Sequence, residues 1–216
     1  MTNSTLRSLL SKAPIIPVIA IEDRAHAIPL ARLLVEAGLP LIEITLRTPV
    51  AFAAIEEIAK HVPTAAIAAG TVLTADQLKS ARNAGARLAI SPGWTASLAS
   101  AASSLSYPWL PGVATPSEIM QAMSEGGDTF KFFPAQAFGG AQALGALHGP
   151  FPTVRFCPTG GIAETQLVDY LALENVICVG GSWLTPRALV HAQDFEAIRA
   201  IALRSLAAAK LAKPNR

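Results

Sequence analysis

The sequence predicts a (β/α)8 barrel, an α/β fold in which eight parallel strands alternate with helices. Eight short apolar, β-prone runs recur along the 216 residues. Their starts lie roughly 20 to 26 residues apart, the length of a strand, a helix and two short loops. Parallel strands need such crossover connections, and near-continuous apolar strands suit a sheet that is buried on both faces.

The eight predicted strands divide the chain evenly, and no linker interrupts them. They are Ile15–Ile21, Leu41–Leu46, Ala65–Ala69, Arg87–Ser91, Trp109–Val113, Thr129–Phe133, Val154–Cys157 and Val176–Val179. We therefore expect one domain over residues 1–216. Because such barrels usually need about 250 residues, the loops of this chain must be short. An open doubly wound sheet is the alternative, but no G-x-G-x-x-G follows the first strand.

Helix boundaries are visible between the strands. Thr48, Thr74 and Thr115 each precede a predicted helix as N-cap residues. Proline follows Thr48 and Thr115 directly, and a glutamine three residues after Thr74 completes a capping-box pattern. We also expect a short N-terminal helix at about residues 2–13 and a C-terminal helix at about residues 194–212.

Composition excludes several classes of protein. With 17 Lys and Arg against 15 Asp and Glu, the net charge of +2 is too small to indicate binding to nucleic acid or to an anionic membrane. No signal peptide and no apolar run of about 18 residues is visible. Cys157 and Cys178 lie in apolar runs, as buried thiols of a reducing compartment do, so we expect a cytoplasmic protein.

Lys131 stands out because it interrupts the aromatic sixth strand, "DTFKFFP". Side chains alternate across a strand, so Lys131 and Phe133 share one face and Phe130 and Phe132 the other. If Lys131 faces the barrel interior, burial disfavours its ammonium, and an uncharged amine is a nucleophile for ketones. The alternatives are a lysine that snorkels from the strand end or pairs with a carboxylate.

The second strand, "LIEITLRTP", carries polar residues at every other position. Glu43, Thr45 and Arg47 share one face, which in a barrel is the interior. Arg47 can hold a substrate carboxylate through two hydrogen bonds, and Glu43 can transfer protons. An internal Glu43–Arg47 ion pair, or an edge strand with one wet face, would explain the same pattern.

Glycine pairs follow the last two strands, in "CPTGGI" and "VGGSW". Barrels often bind phosphate at these loops, where backbone N–H groups face the anion. Gly160, Gly161, Gly180 and Gly181 allow close approach, and Ser182 adds a hydroxyl. The sequence thus predicts a phosphate site there, although paired glycines are also common in turns.

Other polar residues favour structural roles. The four histidines, His26, His61, His148 and His191, fall on or beside predicted helices, which argues against a metal cluster. Glu22 and Asp23 end the first strand and are better placed to cap the next helix than to act in catalysis.

Taken together, these segments resemble the 2-keto-3-deoxy-6-phosphogluconate (KDPG) and 4-hydroxy-2-oxoglutarate (KHG) aldolase family. The resemblance runs from Pro17 to Leu184 through "PVIAIED", "IEITLRTP", "AAGTVL", "AISPG", "LPGVATPSE", "FKFFPA", "GPFPTVRFCPTGGI" and "VGGSWL". It implies a homotrimeric barrel enzyme that needs no metal and no organic cofactor. Gln136 departs from the pattern, since many relatives have an acidic residue after "FKFFPA".

The resemblance also implies roles for individual residues. Lys131 corresponds to the Schiff-base lysine and Glu43 to the general acid and base. Residues that hold the pyruvyl end or line the pocket correspond to Arg47, Thr71, Thr159, Pro92 and Phe133. The phosphate site corresponds to Gly160, Gly161 and Ser182, beside the glycine pair Gly180 and Gly181.

The implied reaction is cleavage of KDPG to pyruvate and glyceraldehyde 3-phosphate through a Schiff base, and the second implied substrate is KHG, which would give pyruvate and glyoxylate. An aldolase for the galactonate epimer would share the same residues. A phosphate-binding barrel isomerase would leave Lys131 unexplained, and a non-catalytic sugar-phosphate sensor fits poorly with an acid, an arginine and a lysine that converge.

Overall fold

The computed structural model describes residues 3–212 as an α/β fold in which the paired strands run parallel. The strands are β1 Ile15–Ile19, β2 Leu41–Thr45, β3 Ala66–Gly70, β4 Leu88–Ile90, β5 Trp109–Leu110, β6 Gly112–Val113, β7 Thr129–Phe132, β8 Arg155–Pro158 and β9 Val179–Gly181. The helices are α1 Asn3–Leu10, α2 Ala27–Glu36, α3 Ala51–His61, α4 Ala75–Asn83, α5 Ala96–Ser104, α6 Pro116–Ser124, α7 Gly140–Ala146, α8 Leu167–Leu171, α9 Arg187–His191 and α10 Phe195–Ala212. Short 3-10 turns cover Arg24–His26 and Glu164–Gln166.

The strands form two sheets, with strand orders β5-β4-β3-β2-β1-β9 and β6-β7-β8. The fifth predicted run is split between them at Pro111, which has no N–H to donate to a ladder. Two isolated parallel bridges, Phe156–Val176 and Thr159–Gly180, connect β8 with the segment that leads into β9. The parallel α/β organisation predicted from the sequence is therefore confirmed.

Side chains from alternate strand positions build two separate apolar clusters. The inner cluster includes Ile16, Leu41 and Ile90, and Leu6 and Leu10 of α1 pack against its amino-terminal end. The outer cluster lies between the strands and the surrounding helices, as the buried side chains of α2, α3 and α10 show. The inner cluster fills the interior between the strands. Polar side chains on the same strand face therefore lie beyond this cluster, near the carboxyl ends of the strands.

The predicted helix starts are confirmed at two of three positions. The hydroxyls of Thr74 and Thr115 accept from the backbone N–H groups of Gln77 and Glu118, and Thr115 completes a capping box with Glu118. Thr48 is a correction, because its hydroxyl donates to the Ile21 carbonyl at 2.6 Å and α3 begins only at residue 51. That bond ties the loop after β2 to the end of β1.

The predicted terminal helices and last strand differ in detail from the structure. Helix α1 ends at Leu10, before a turn that leads to Pro14, and residue 2 of the predicted helix lies outside the described residues. Helix α10 confirms the C-terminal helix. Strand β9 covers Val179–Gly181, two residues later than its predicted end, while Val176 forms only the bridge to Phe156.

The structure also bears on the membrane and thiol predictions. Within residues 3–212, no helix combines the length and the apolar character that crossing a bilayer requires. Cys157 and Cys178 are both buried, as the sequence predicted.

Candidate active site

A cavity of about 450 Å³ opens at the carboxyl ends of the strands. It collects almost every residue that the sequence predicted for the site. These are Glu43, Arg47, Thr71, Pro92, Lys131, Phe133, Thr159, Gly160, Gly161, Gly180 and Ser182. Side chains and loops from β2, β3, β7, β8 and β9 thus meet around one space large enough for a small organic substrate.

Gly181 is the one predicted residue outside this lining. A Cβ at Gly181 would stand 2.3 Å from the ring of Trp183, so the position is occupied by packing against that ring. The residue before it, Gly180, does face the cavity. Alternation along β9 places neighbouring residues on opposite faces, and the sequence could not assign the two glycines to their faces because neither has a side chain.

Lys131 and Glu43 meet inside the cavity. The Lys131 Nζ donates to the Glu43 Oε1 at 3.2 Å, and their side chains are only 7% and 3% exposed. Lys131 Nζ also lies 5.1 Å from the centre of the Phe133 ring. The amine is therefore not snorkelling into solvent, and its carboxylate partner is the predicted acid. Of the two alternatives for Lys131, pairing with a carboxylate is therefore present, and the 3.2 Å contact places the amine and the acid within reach of one reacting group.

Arg47 is held by Thr45 instead of by Glu43. The Arg47 Nε donates to the Thr45 Oγ1 at 3.1 Å, and that hydroxyl in turn donates to the Ile19 carbonyl at 3.0 Å. Strand β2 also lies between β1 and β3, so it is not an edge strand. The two alternative explanations for the polar face of β2 are therefore excluded. Two amino groups of the Arg47 guanidinium are left to face a carboxylate.

The backbone at three cavity residues adopts left-handed conformations. Thr71 has φ +61°, which is uncommon for a residue with a branched Cβ. Gly160 and Gly161 have φ +102° and +74°, and this turn requires glycine for that reason. The chain bends sharply here, and Gln136 donates its N–H to the Gly160 carbonyl at 3.0 Å.

Comparison with known proteins agrees with this geometry. The family model for KDPG and KHG aldolases matches residues 6–201. The KHG/KDPG aldolase of Escherichia coli (strain K12) is 48% identical, with 96% of this chain and 98% of the relative covered.

Two solved structures are similar over nearly the whole chain. KDPG aldolase from Legionella pneumophila, with pyruvate captured as a covalent carbinolamine, superposes with a TM-score of 0.91 at 43% identity, covering 93% of this chain and 98% of that one. The Zymomonas mobilis ZM4 enzyme with 3-phosphoglycerate gives a TM-score of 0.89 at 44% identity, covering 94% and 95%.

The chain belongs to the KDPG and KHG aldolase family. Its match to the family model takes in every cavity residue named above. In this member of the KDPG/KHG aldolase family, Gln136 does not line the cavity, and its Oε1 accepts from the Tyr170 hydroxyl at 3.0 Å. Burial raises the pKa of Tyr170, so its hydroxyl remains a donor at neutral pH.

The sequence analysis missed residues of this aldolase-family site that hold other site residues in place or leave space for their side chains. Thr45 was placed on the polar face without a role, and its two hydrogen bonds became visible only in the structure. Gly70 was not singled out, yet a Cβ there would stand 2.2 Å from the Glu43 Oε1. A Cβ at Gly180 would likewise stand 2.3 Å from the Thr159 Oγ1. Glycines inside apolar strands were the available signal.

The site offers side chains for acid–base and covalent chemistry. In the part of the chain that the structure describes, no three His, Cys, Asp or Glu residues come together as ligands for a metal ion.

Proposed function

We propose that this chain is a class I aldolase that cleaves KDPG to pyruvate and glyceraldehyde 3-phosphate through a Schiff base on Lys131. The observation that carries the proposal is the buried contact between the Lys131 amine and the Glu43 carboxylate. The relative with pyruvate held as a covalent carbinolamine supports it, because that species is the first product of an amine and a ketone.

The proposed cycle starts when the Lys131 amine attacks the C2 ketone to form a carbinolamine. Glu43 donates a proton as water leaves, and the product is a protonated imine. Glu43, now a carboxylate, removes the proton of the C4 hydroxyl. The C3–C4 bond breaks and its electron pair moves towards the iminium nitrogen. Glyceraldehyde 3-phosphate departs, and the remaining enamine is protonated at C3 and hydrolysed to pyruvate and free Lys131.

The other cavity residues are proposed to bind substrate at its two charged ends. Arg47, Thr71 and Thr159 would hold the pyruvyl carboxylate and keto group, with Pro92 and Phe133 as pocket walls. The phosphate would bind at the other end of the cavity, against the Gly160–Gly161 turn, Gly180 and Ser182. Gly181 would contribute through backbone alone. The Zymomonas mobilis structure with 3-phosphoglycerate supports a phosphorylated ligand.

We further propose that the two sheets close into a single (β/α)8-barrel domain spanning residues 1–216. Two observations support closure of the barrel at the two places where the sheets meet. Isolated bridges connect β8 with the β9 segment, and only one residue separates β5 from β6. The protein would be a cytoplasmic homotrimer that requires no metal or organic cofactor. Sedimentation should then give about three times the 22.5 kDa chain mass.

Borohydride reduction with pyruvate tests the proposed chemistry. Wild type should gain a covalent pyruvyl adduct at Lys131, found by mass spectrometry of the digested chain, whereas Lys131→Ala should not. Lys79 is an exposed lysine on α4, so Lys79→Ala serves as the matched control and should label like wild type. An isomerase or a sugar-phosphate sensor would give no adduct in any variant, and that outcome would remove the aldolase proposal.

Substrate choice is a separate measurement. Cleavage rates on KDPG, its galactonate epimer and KHG should rank KDPG first, in keeping with the names of the similar enzymes. A faster rate on the galactonate epimer would favour the alternative aldolase, since both share the lysine and the acid.

A further inference from the structure

A second cavity, of about 460 Å³, lies beside the candidate active site at the ends of β1, β2 and β9. Val18, Arg47 and Ser182 line both cavities, so the two spaces share a wall. The proposed aldol reaction uses none of the residues found only in the second cavity. Its size exceeds that of a phosphate ion, which leaves room for a small organic group.

Besides Arg47, the second cavity is lined by the Glu22 carboxylate and by Arg187 and His191 of α9. Arg187 places its Nε 2.9 Å from the Glu22 Oε1 and its Nη2 3.0 Å from the Oε2, and His191 Nε2 lies 2.8 Å from the same Oε2. Arg187 is 77% exposed, so the remaining guanidinium N–H groups face the open side. Glu22 thus orients Arg187 at the rim and leaves some of its guanidinium N–H groups without a partner among the described residues that line the second cavity.

Thr185 adds an independent observation. This threonine lines the second cavity and is only 8% exposed, and its hydroxyl has no hydrogen-bond partner among residues 3–212. Buried hydroxyls without a partner are rare in folded proteins because the lost hydrogen bond with water is not replaced. A rotation about χ1 exchanges the methyl and hydroxyl positions of a threonine. The Thr185 oxygen is itself buried, so a ligand in the cavity would supply the missing partner after such a rotation.

We propose that the second cavity binds the phosphate group of a small phosphorylated metabolite. Arg47 and Arg187 outweigh the single Glu22 carboxylate, so the net charge favours an anion. Guanidinium groups from two directions, with the Thr185 and Ser182 hydroxyls, suit the several acceptor oxygens of a phosphate. Because Arg47 and Ser182 also belong to the active cavity, an occupant would oppose substrate binding next door.

Calorimetric titration of the full chain tests this site, with inorganic phosphate and glycerol 3-phosphate as probes. Arg187→Gln and Thr185→Val should each raise the Kd by about tenfold, the loss of one charge-assisted or buried hydrogen bond. Thr185→Ser should retain wild-type affinity. Glu22→Gln removes the opposing charge and should lower the Kd. Tighter binding of the ester would show that the organic group contributes, and equal binding would identify free phosphate as sufficient.

The matched control is Arg199→Gln, which also removes an arginine that is paired with a surface carboxylate, Glu36, but lines neither cavity. Its Kd should equal that of wild type. If phosphate binds only at the Gly160–Gly161 turn, its Kd should be the same for Thr185→Val, Arg187→Gln and wild type, and that result would overturn the proposal. A wild-type chain that does not bind phosphate would also overturn it. Labelling by pyruvate and borohydride is measured in a separate experiment. Failure of the aldolase proposal can therefore be distinguished from failure of the phosphate-site proposal.

Discussion

Single side chains set the chemistry that the cavity can support. Glu43 contacts the Lys131 amine directly, so we assign it each proton transfer that the proposed cycle needs. Glu43→Gln keeps the size and a hydrogen-bonding group but removes the exchangeable proton. We expect kcat to fall by about 10²–10⁴-fold, the usual contribution of a general acid–base group. Borohydride trapping of pyruvate should slow as well, and a kcat within tenfold of wild type would contradict the assignment.

Thr45 is a positioning residue, because it touches Arg47 and not the proposed substrate atoms. Thr45→Val leaves the Arg47 Nε without its acceptor. We expect the KM for KDPG to rise by about fivefold, equivalent to a hydrogen bond worth about 1 kcal/mol, with kcat nearly unchanged. Thr45→Ser should restore the wild-type KM because it returns the hydroxyl. A fall in kcat alone would argue against positioning of the substrate carboxylate.

At the scale of single elements, β3 controls the carboxylate of β2. Gly70→Ala would place a Cβ 2.2 Å from the Glu43 Oε1 and 2.6 Å from its Cγ, so the acid must move. A displacement of about 1 Å at a catalytic group costs about 10²-fold in rate, and we expect that loss in kcat. Gly149→Ala is the control, since its Cβ would meet its nearest atom at 3.8 Å. Equal rates for the two variants would show that Glu43 tolerates the shift.

Element boundaries show what a sequence pattern can and cannot reveal. Strand alternation predicted the interior positions of Glu43 and Lys131, because a period of two needs only local information. The acceptor of Thr48 could not be predicted, since its bond reaches Ile21 of a neighbouring element. The missing N–H of Pro111 is visible in the sequence, but the assignment of β5 and β6 to different sheets depends on the strands on either side. Contacts between distant segments decide these details.

At the scale of the whole molecule, Glu164 connects the C-terminal helix α10 to the segment that follows the Gly160–Gly161 turn. Its carboxylate accepts from Arg204 at 2.8 Å and from the Ser205 hydroxyl at 3.1 Å. The hydrogen bond from Arg204, aided by that from Ser205, lowers the pKa of Glu164. A lowered pKa means that the stabilisation is present at neutral pH and is lost as the pH falls below the ordinary carboxyl value of about 4.3.

Glu164→Gln should therefore lower the Tm at pH 7 and have little effect once the wild-type carboxyl is protonated. Thermal unfolding from pH 7 down through the ordinary carboxyl value of about 4.3 measures this, because the Tm difference should shrink as the pH falls further towards the lowered pKa. The exposed Glu56 on α3 provides the control, and Glu56→Gln should follow wild type at each pH. A Tm difference that stays constant across the range would show that packing, and not the charge, accounts for the effect.

The overall organisation was more predictable than the surroundings of the site. Eight regularly spaced apolar runs indicated parallel strands, and the family motifs marked nearly all cavity residues. The second cavity left no pattern in the sequence, because Glu22 and Arg187 are 165 residues apart and meet only after the strand ends are assembled.

Lys131 and Glu43 stand 88 positions apart in the chain, in different sheets. A chain divided in the loop before β5, for example after the exposed Ser106, would leave the acid in one piece and the amine in the other. Neither piece alone could complete a turnover. If the two halves are co-expressed and aldol cleavage returns, the halves must have reassociated. The Lys131–Glu43 contact therefore provides an activity assay for fragment complementation.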